Sequence, residues 1–194
     1  KMAYNVKIEQ SKSKVYNHAI ATKILDLMDK LRLDENENSA RRWIWELLQN
    51  AKDVAHEDIG VSIEINFQVD DENGYLDFKH NGKPFSIDNL SFLIQQVSTK
   101  ERNSTESNKF KTTGKFGTGF LTTHLLSEVV KIESFVKEPD EPYRKFSLLL
   151  DRSGRDIDEI IESVSNSLGS LEDIDSEESF YQYSATNFNT VFRY

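Results

Sequence analysis

The apolar residues of this chain recur at two different spacings, and this alternation is the feature that most limits its fold. Over residues 14–33 they recur every three or four positions, which is typical of an amphipathic helix. Over residues 61–69 they alternate with polar residues, which is typical of a strand with one buried face. Helical and strand-like segments follow one another up to the C-terminus. The chain is therefore predicted to fold as an α/β protein.

The order of the remaining segments predicts a two-layer α/β sandwich with a mixed, mostly antiparallel sheet. A second helix is expected over residues 41–55 with Ser39 as its N-cap, and Ser86 is expected to cap a third helix. The other expected elements are a strand at 75–80 after a turn at 70–74, a helix at 116–127, strands at 129–136 and 145–150, a helix at 157–168 and a C-terminal strand. Because short connections join the strands, the helices should gather on one face of the sheet.

Composition narrows the class of protein. With 37% hydrophobic and 29% charged residues, the chain resembles soluble globular proteins, and no apolar run is long enough for a membrane span. The formal net charge of -9 disfavours binding to a nucleic-acid backbone. The absence of cysteine excludes disulfides and thiolate metal sites, and it fits a cytoplasmic location. Because Lys1 precedes Met2 and the chain ends in a strand-like run, we expect a single domain over residues 1–194, the N-terminal fragment of a larger protein.

The second predicted helix carries a polar face formed by Glu46, Asn50 and Asp53. At about 100° per residue, these side chains fall within an arc of about 60°. A carboxylate and an amide in line offer oxygen ligands to a hard cation and a base to water. The alternative is a solvated polar stripe without a ligand.

A glycine motif precedes the helix at 116–127. Gly114, Gly117 and Gly119 allow backbone N–H groups to close on an anion at a helix N-terminus, which suits a phosphate. The alternative is a tight turn that begins a helix. No Lys-Ser or Lys-Thr pair follows the last glycine, so this is not a Walker loop. The preceding residues 98–113 are polar and are predicted to be a loop, a candidate lid over a ligand.

A third motif, His-Asn-Gly-Lys-Pro-Phe, begins at His80 at the end of a predicted strand. An Asn-Gly pair between extended runs is also the commonest hairpin signal, and that alternative stays open.

The order of the three motifs resembles the nucleotide-binding motifs of the GHKL superfamily, which includes gyrase, the ninety-kilodalton heat-shock chaperones, histidine kinases and MutL. The resemblance is close over residues 41–127 and looser at the last strand. It implies the Bergerat fold and the binding of ATP with Mg²⁺. The run that begins at His80 resembles most the sacsin-related group of chaperone-like ATPases.

The resemblance also implies roles for individual residues. Glu46 would be the general base, Asn50 would hold Mg²⁺, Asp53 would support the adenine end and Gly82 would let the base approach the backbone. The glycine loop would wrap the phosphates, and the lid and last strand would add secondary contacts. The remaining predicted nucleotide-binding residues are Asn81, Lys100, Gly114, Lys115, Phe116, Gly117, Thr118, Gly119, Phe120 and Thr190.

His80 departs from the superfamily, because most members have an aspartate there that accepts a hydrogen bond from the adenine amino group. Strand alternation predicts that His80 points inward, where a neutral imidazole would accept that proton through its unprotonated nitrogen. Binding should then weaken on acidification. The alternative is that the amide of Asn81 reads the base.

The expected function is that of an ATP-binding and ATP-hydrolysing domain of a chaperone-like or defence-type multidomain protein, with nucleotide-dependent lid closure. The resemblance implies that the full-length protein dimerises on ATP binding. It also implies slow hydrolysis by the isolated domain, because related ATPases take a catalytic lysine from the next domain. The alternatives are a non-hydrolysing nucleotide-sensing module and a DNA-repair or gyrase-like ATPase domain.

Overall fold

The computed structural model describes residues 2–34, 36–96, 118–176, 179–180 and 182–194. The α-helices are α1 (Met2–Arg32), α2 (Glu37–Ala40), α3 (Arg42–Asp53), α4 (Ile87–Gln95), α5 (Thr118–Leu121) and α6 (Ile157–Glu172). The strands are β1 (Ile63–Val69), β2 (Gly74–His80), β3 (Val129–Val136), β4 (Tyr143–Asp151), β5 (Ser179–Phe180) and β6 (Thr190–Arg193). The described part of the chain also has 3₁₀ turns at Thr122–Leu125 and Ile174–Ser176.

Within the described residues, six strands form one sheet in the order β1-β2-β6-β3-β4-β5. Each neighbouring pair is antiparallel, and β6 comes from the end of the chain to lie between β2 and β3. The predicted sheet was mixed, but the parallel pairing within the described part of the chain is limited to one isolated bridge between Phe85 and Val136. The two-layer α/β sandwich is confirmed.

One face of the sheet is packed and the other is open. Along β4, Phe146, Leu148 and Leu150 are buried, whereas Leu149 on the other face is 52% exposed. Helix α6 packs on β4, and α1 and α4 pack on α6, so these helices lie on the packed side. The core between the layers contains buried residues from every layer, among them Ile24, Leu47, Leu90, Ile160 and Phe192.

Helix α1 is longer than the predicted helix at 14–33, because it begins at Met2. Its residues 3–19 are exposed, and its burial begins at Ile20. The apolar spacing therefore located only the half of the helix that packs on the core. None of the described helices is long and apolar enough to cross a membrane.

The structure corrects two of the predicted helices. Asn36 caps α2 by accepting the Asn38 N–H at 3.0 Å, so Ser39 lies inside that helix and caps nothing. Helix α3 then begins after Arg41 without a side-chain cap.

The helix predicted at 116–127 differs in form. Its described part has only one α-helical turn, and a 3₁₀ turn follows, in which the Thr122 hydroxyl donates to the Gly119 carbonyl at 2.7 Å. Ser86 caps α4 as predicted, within a capping box completed by Asn89.

Candidate functional site

The polar face of α3 turns partly toward the interior. Asn50 is 9% exposed, and its Nδ2 has no hydrogen-bond partner among the described residues. A buried amide without a partner costs about 1–3 kcal/mol, so such a group ordinarily meets a ligand or an ordered water. Glu46 and Asp53 on the same face are half-buried, and Asp53 Oδ1 accepts a hydrogen bond from Gln49 Nε2 at 2.8 Å.

Gly119, the last glycine of the motif, lies directly against Glu46. A Cβ atom built on Gly119 would overlap the Glu46 carboxylate, lying 2.9 Å from its Cδ and 3.1 Å from its Oε1. Helices α3 and α5 are in contact around this point. The fold therefore brings the end of the glycine motif onto the polar face of α3, and only glycine leaves the carboxylate in this position.

The structure describes only part of the predicted phosphate-binding loop. Lys100, Gly114, Lys115, Phe116, Gly117 and the candidate lid at 98–113 lie outside the described residues, and the side chain of Thr118 does too. Phe120 is described, and its ring lies in the core, 5.6 Å between centroids from Phe192. Its side chain therefore anchors the first turn of α5, and the predicted contact of this ring with nucleotide does not fit that placement.

His80 points inward as predicted, but its acceptor nitrogen is already in use. The ring is 3% exposed, and Nδ1 accepts the backbone N–H of Gly82 at 3.0 Å. Burial lowers the pKa of His80 to about 4, so the ring is neutral and its single proton is on Nε2. The prediction that His80 accepts the adenine amino proton is therefore wrong, because no lone pair is left for it.

The side-chain amide of Asn81 makes two hydrogen bonds within the fold. Its Oδ1 accepts the Ser62 N–H at 2.6 Å, and its Nδ2 donates to the Ala185 carbonyl at 2.9 Å. These bonds join the approach to β1 with the loop before β6, which makes Asn81 a structural residue. The motif does not form a hairpin either, since Phe85 makes its bridge to Val136 of β3. The hairpin alternative therefore does not match this arrangement, and the alternative that the Asn81 amide reads a base stays a prediction.

Gly82 is required by the close approach of the end of α3. A Cβ atom there would lie 2.5 Å from Val54 Cγ2 and 2.9 Å from His80 Nδ1. The Lys83 N–H donates to the Val54 carbonyl at 2.7 Å, which holds this contact in place. The side of Gly82 that a Cβ would occupy faces Val54, a residue that the sequence analysis did not single out, rather than open space for a base.

We expect Gly82→Ala to lower the free energy of unfolding by about 1–3 kcal/mol, because the added methyl group overpacks against Val54 and the His80 ring. Urea denaturation measures the change. Gly169→Ala in α6 is the matched control: no described residue lies within 4 Å of its added Cβ, and alanine should stabilise the helix by up to about 1 kcal/mol. A Gly82→Ala chain as stable as the parent would show that the contact does not require glycine.

Thr190 lies opposite His80 in the register of β2 and β6, and it is completely buried. Its Oγ1 lies 2.6 Å from the Oγ of Ser134 on β3, a hydrogen bond in which either hydroxyl can donate. We refer to His80, Thr190 and Ser134, which cross three neighbouring strands on the packed face, as the polar row. Ser134 was missed by the sequence analysis. The sequence feature that could have identified Ser134 is its place in β3: it is a polar residue at a buried position of the alternating pattern formed by Val130, Ile132 and Val136.

Within the described parts of the chain there is no cluster of three or more His, Asp or Glu side chains that could hold a metal ion by itself. No protein-family model matches this chain, and no curated protein matches its sequence significantly. The assignment of a function therefore depends on the geometry of the site and on the motifs.

Proposed function

We propose that this chain binds ATP together with Mg²⁺ and hydrolyses the bond that joins its γ-phosphate to the β-phosphate. The observation that carries the proposal is the contact between Gly119 and Glu46, on the helix face where the buried Nδ2 of Asn50 has no partner among the described residues. The backbone of Gly119, a carboxylate and an amide side chain lie together there on a half-buried surface. These are the groups that would enclose a phosphate, activate water and bind a hard cation.

The residues present suit magnesium bound to a nucleotide better than magnesium alone. Mg²⁺ usually keeps several waters and takes one or two protein ligands together with phosphate oxygens. Asn50 offers one amide oxygen, and its Nδ2 has no hydrogen-bond partner among the described residues. Such a site would bind the metal weakly without nucleotide.

The position of Glu46 supports a role in hydrolysis. Its side chain is half-buried, and its carboxylate lies against Gly119, at the point where the phosphate-binding loop would end. A carboxylate at this position would orient a water molecule and accept its proton as the phosphate is released. The chemistry supplied by the bound metal would be neutralisation of charge on the phosphate oxygens.

The wider role is proposed from the motifs. The resemblance of the run at His80 to the sacsin-related ATPases supports a chaperone-like or defence-type protein, and the superfamily supports ATP-dependent dimerisation. The absence of cysteine supports a cytoplasmic location.

Asn50→Ala tests the proposal. We expect ten- to hundredfold weaker binding of Mg²⁺-ATP, because the metal loses its protein ligand, which corresponds to about 1.4–3 kcal/mol. Isothermal titration calorimetry measures it, and the difference from the parent chain should shrink when EDTA replaces Mg²⁺. Asn166→Ala, on the exposed side of α6, is the matched control and should bind like the parent. Unchanged affinity in Asn50→Ala would contradict the metal assignment.

A further inference from the structure

The sequence contains two Asn-Gly pairs, Asn73-Gly74 and Asn81-Gly82, and the fold holds them in opposite ways. This dipeptide is chemically reactive, because glycine has no side chain to shield its backbone nitrogen from the asparagine that precedes it. The nitrogen can attack the side-chain amide of the asparagine and release ammonia. Whether it does so depends on how freely the two groups can meet.

The pair at Asn81 is locked by three hydrogen bonds. The side-chain amide of Asn81 donates to the Ala185 carbonyl at 2.9 Å and accepts the Ser62 N–H at 2.6 Å. The Gly82 N–H, which would have to attack, donates to His80 Nδ1 at 3.0 Å. Asn81 and Gly82 are both buried. A reaction at this pair would therefore require the fold to open locally and break these bonds.

The pair at Asn73 lies at the tip of the β1–β2 hairpin, and both of its residues are exposed. The hydrogen bonds that Asn73 makes to described residues outside the ladder come from its backbone: its N–H donates to Asp70 Oδ1 at 2.7 Å, and its carbonyl accepts the Asp70 N–H at 2.9 Å. Because Asp70 bonds to Asn73, the alternation of an antiparallel ladder turns the Gly74 N–H away from β1. The side-chain amide and the attacking nitrogen are therefore both accessible.

We propose that Asn73 is a site of spontaneous deamidation through a cyclic succinimide, and that the fold confines this reaction to Asn73. The Gly74 nitrogen forms a bond to Cγ of Asn73, the bond between Cγ and Nδ2 breaks, and the proton of the Gly74 N–H leaves with Nδ2 as ammonia. Water then opens the ring. Opening at Cγ gives aspartate, and opening at the backbone carbonyl gives isoaspartate, whose main chain runs through Cβ and Cγ. Water is the co-reactant, nothing is oxidised or reduced, and the reaction does not depend on nucleotide.

The product changes the hairpin in two ways. Asp70, Asp71 and Glu72 already place carboxylates in this turn, and the reaction adds another beside them. Isoaspartate also adds one carbon to the backbone between β1 and β2, so the carbonyl of residue 73 no longer meets the Asp70 N–H in the same geometry. We expect faster hydrogen exchange at the Asp70 amide in the modified chain.

The experiment keeps the folded chain in mildly alkaline buffer for several days and follows both pairs by peptide mass spectrometry. Conversion replaces an amide NH₂ by a hydroxyl, and oxygen-18 water should label residue 73. We expect Asn73 to convert at least about tenfold faster than Asn81, because the locked pair reacts only in the small fraction of molecules in which the fold has opened. In urea that unfolds the chain, the two pairs should convert at similar rates.

Gly74→Ala is the matched variant. Its added Cβ would lie 3.6 Å from the Gln68 carbonyl oxygen and 3.7 Å from Val69 Cγ2, which are ordinary contacts, so the hairpin should form as in the parent chain. The methyl group shields the attacking nitrogen, and conversion at Asn73 should fall at least severalfold. An intact Asn73 in the folded parent, equal conversion of both pairs before unfolding, a difference that persists in urea, or undiminished conversion in Gly74→Ala would each overturn the inference.

Discussion

Glu46→Gln should reduce phosphate release from ATP by a factor of about 10² to 10⁴ while leaving ATP affinity within about twofold of the parent chain. The amide has the size of the carboxylate but cannot accept a proton from water. A general base acts on the transition state far more than on bound ATP, so binding and hydrolysis should separate. Phosphate release measured alongside calorimetric binding checks the prediction.

The contact with Gly119 supplies a second variant. The methyl group in Gly119→Ala would overlap the Glu46 carboxylate, which is the far end of a flexible side chain and can move without disturbing the fold. We therefore expect Gly119→Ala to keep its stability and to lose hydrolysis, because the carboxylate is displaced. Glu162→Gln, exposed on α6, is the matched control and should hydrolyse like the parent.

The outcomes distinguish the candidate functions. Full hydrolysis in Glu46→Gln would contradict the role of this residue as the base. A parent chain that binds Mg²⁺-ATP and releases no phosphate would instead favour the non-hydrolysing nucleotide sensor. Phosphate should be followed over many hours at saturating ATP, so that slow hydrolysis is also detected.

The secondary structure could be predicted from the sequence wherever the local pattern of apolar residues determines it. The period of two over β3 and β4 located both strands to within about two residues, because one face of each is buried and the other is exposed. The prediction failed at Ser39, because Asn36 lies closer to the break and caps a separate short helix. Such a competition between neighbouring caps depends on single hydrogen bonds that a pattern of apolar residues does not contain.

The candidate site could be predicted from sequence only along α3, where helical spacing alone brings Glu46 and Asn50 to one face. The polar row depends on strand order. Thr190 meets Ser134 because β6 inserts between β2 and β3, and nothing in the local sequence specifies that insertion. Which ring nitrogen of His80 carries the proton depends on a hydrogen bond with Gly82, two residues away. The geometry of that bond is set by the approach of α3.

The chain should lose stability steeply as pH falls below about 6.5, because two buried histidines are neutral in the folded protein. Burial lowers the pKa of His80 to about 4. Burial, with the nearby cation of Arg152, lowers the pKa of His124 to about 3. The Nδ1 of His124 donates toward the carbonyls of Ser127 and Glu128, both at 3.1 Å, and its Nε2 has no partner among the described residues. Protonation would place a second buried positive charge near Arg152, which is itself fully buried.

The direction in which stability changes with pH follows from the number of protons that the folded and unfolded chains bind. Both pKa values are lowered in the folded state, so between about pH 6.5 and pH 4 the unfolded chain binds more protons than the folded one, and stability falls as pH falls. Each histidine contributes up to about 1.4 kcal/mol per pH unit once the pH is below 6.5, so each should remove about 2 kcal/mol, and the two together about 4 kcal/mol, between pH 7 and pH 5. Urea denaturation at pH 7, 6 and 5 measures the slope. His80→Asn and His124→Asn should each remove about half of it, whereas His18→Asn, exposed on α1, should leave it unchanged. A stability that stays level from pH 7 to pH 5 would show that neither histidine is held neutral by the fold.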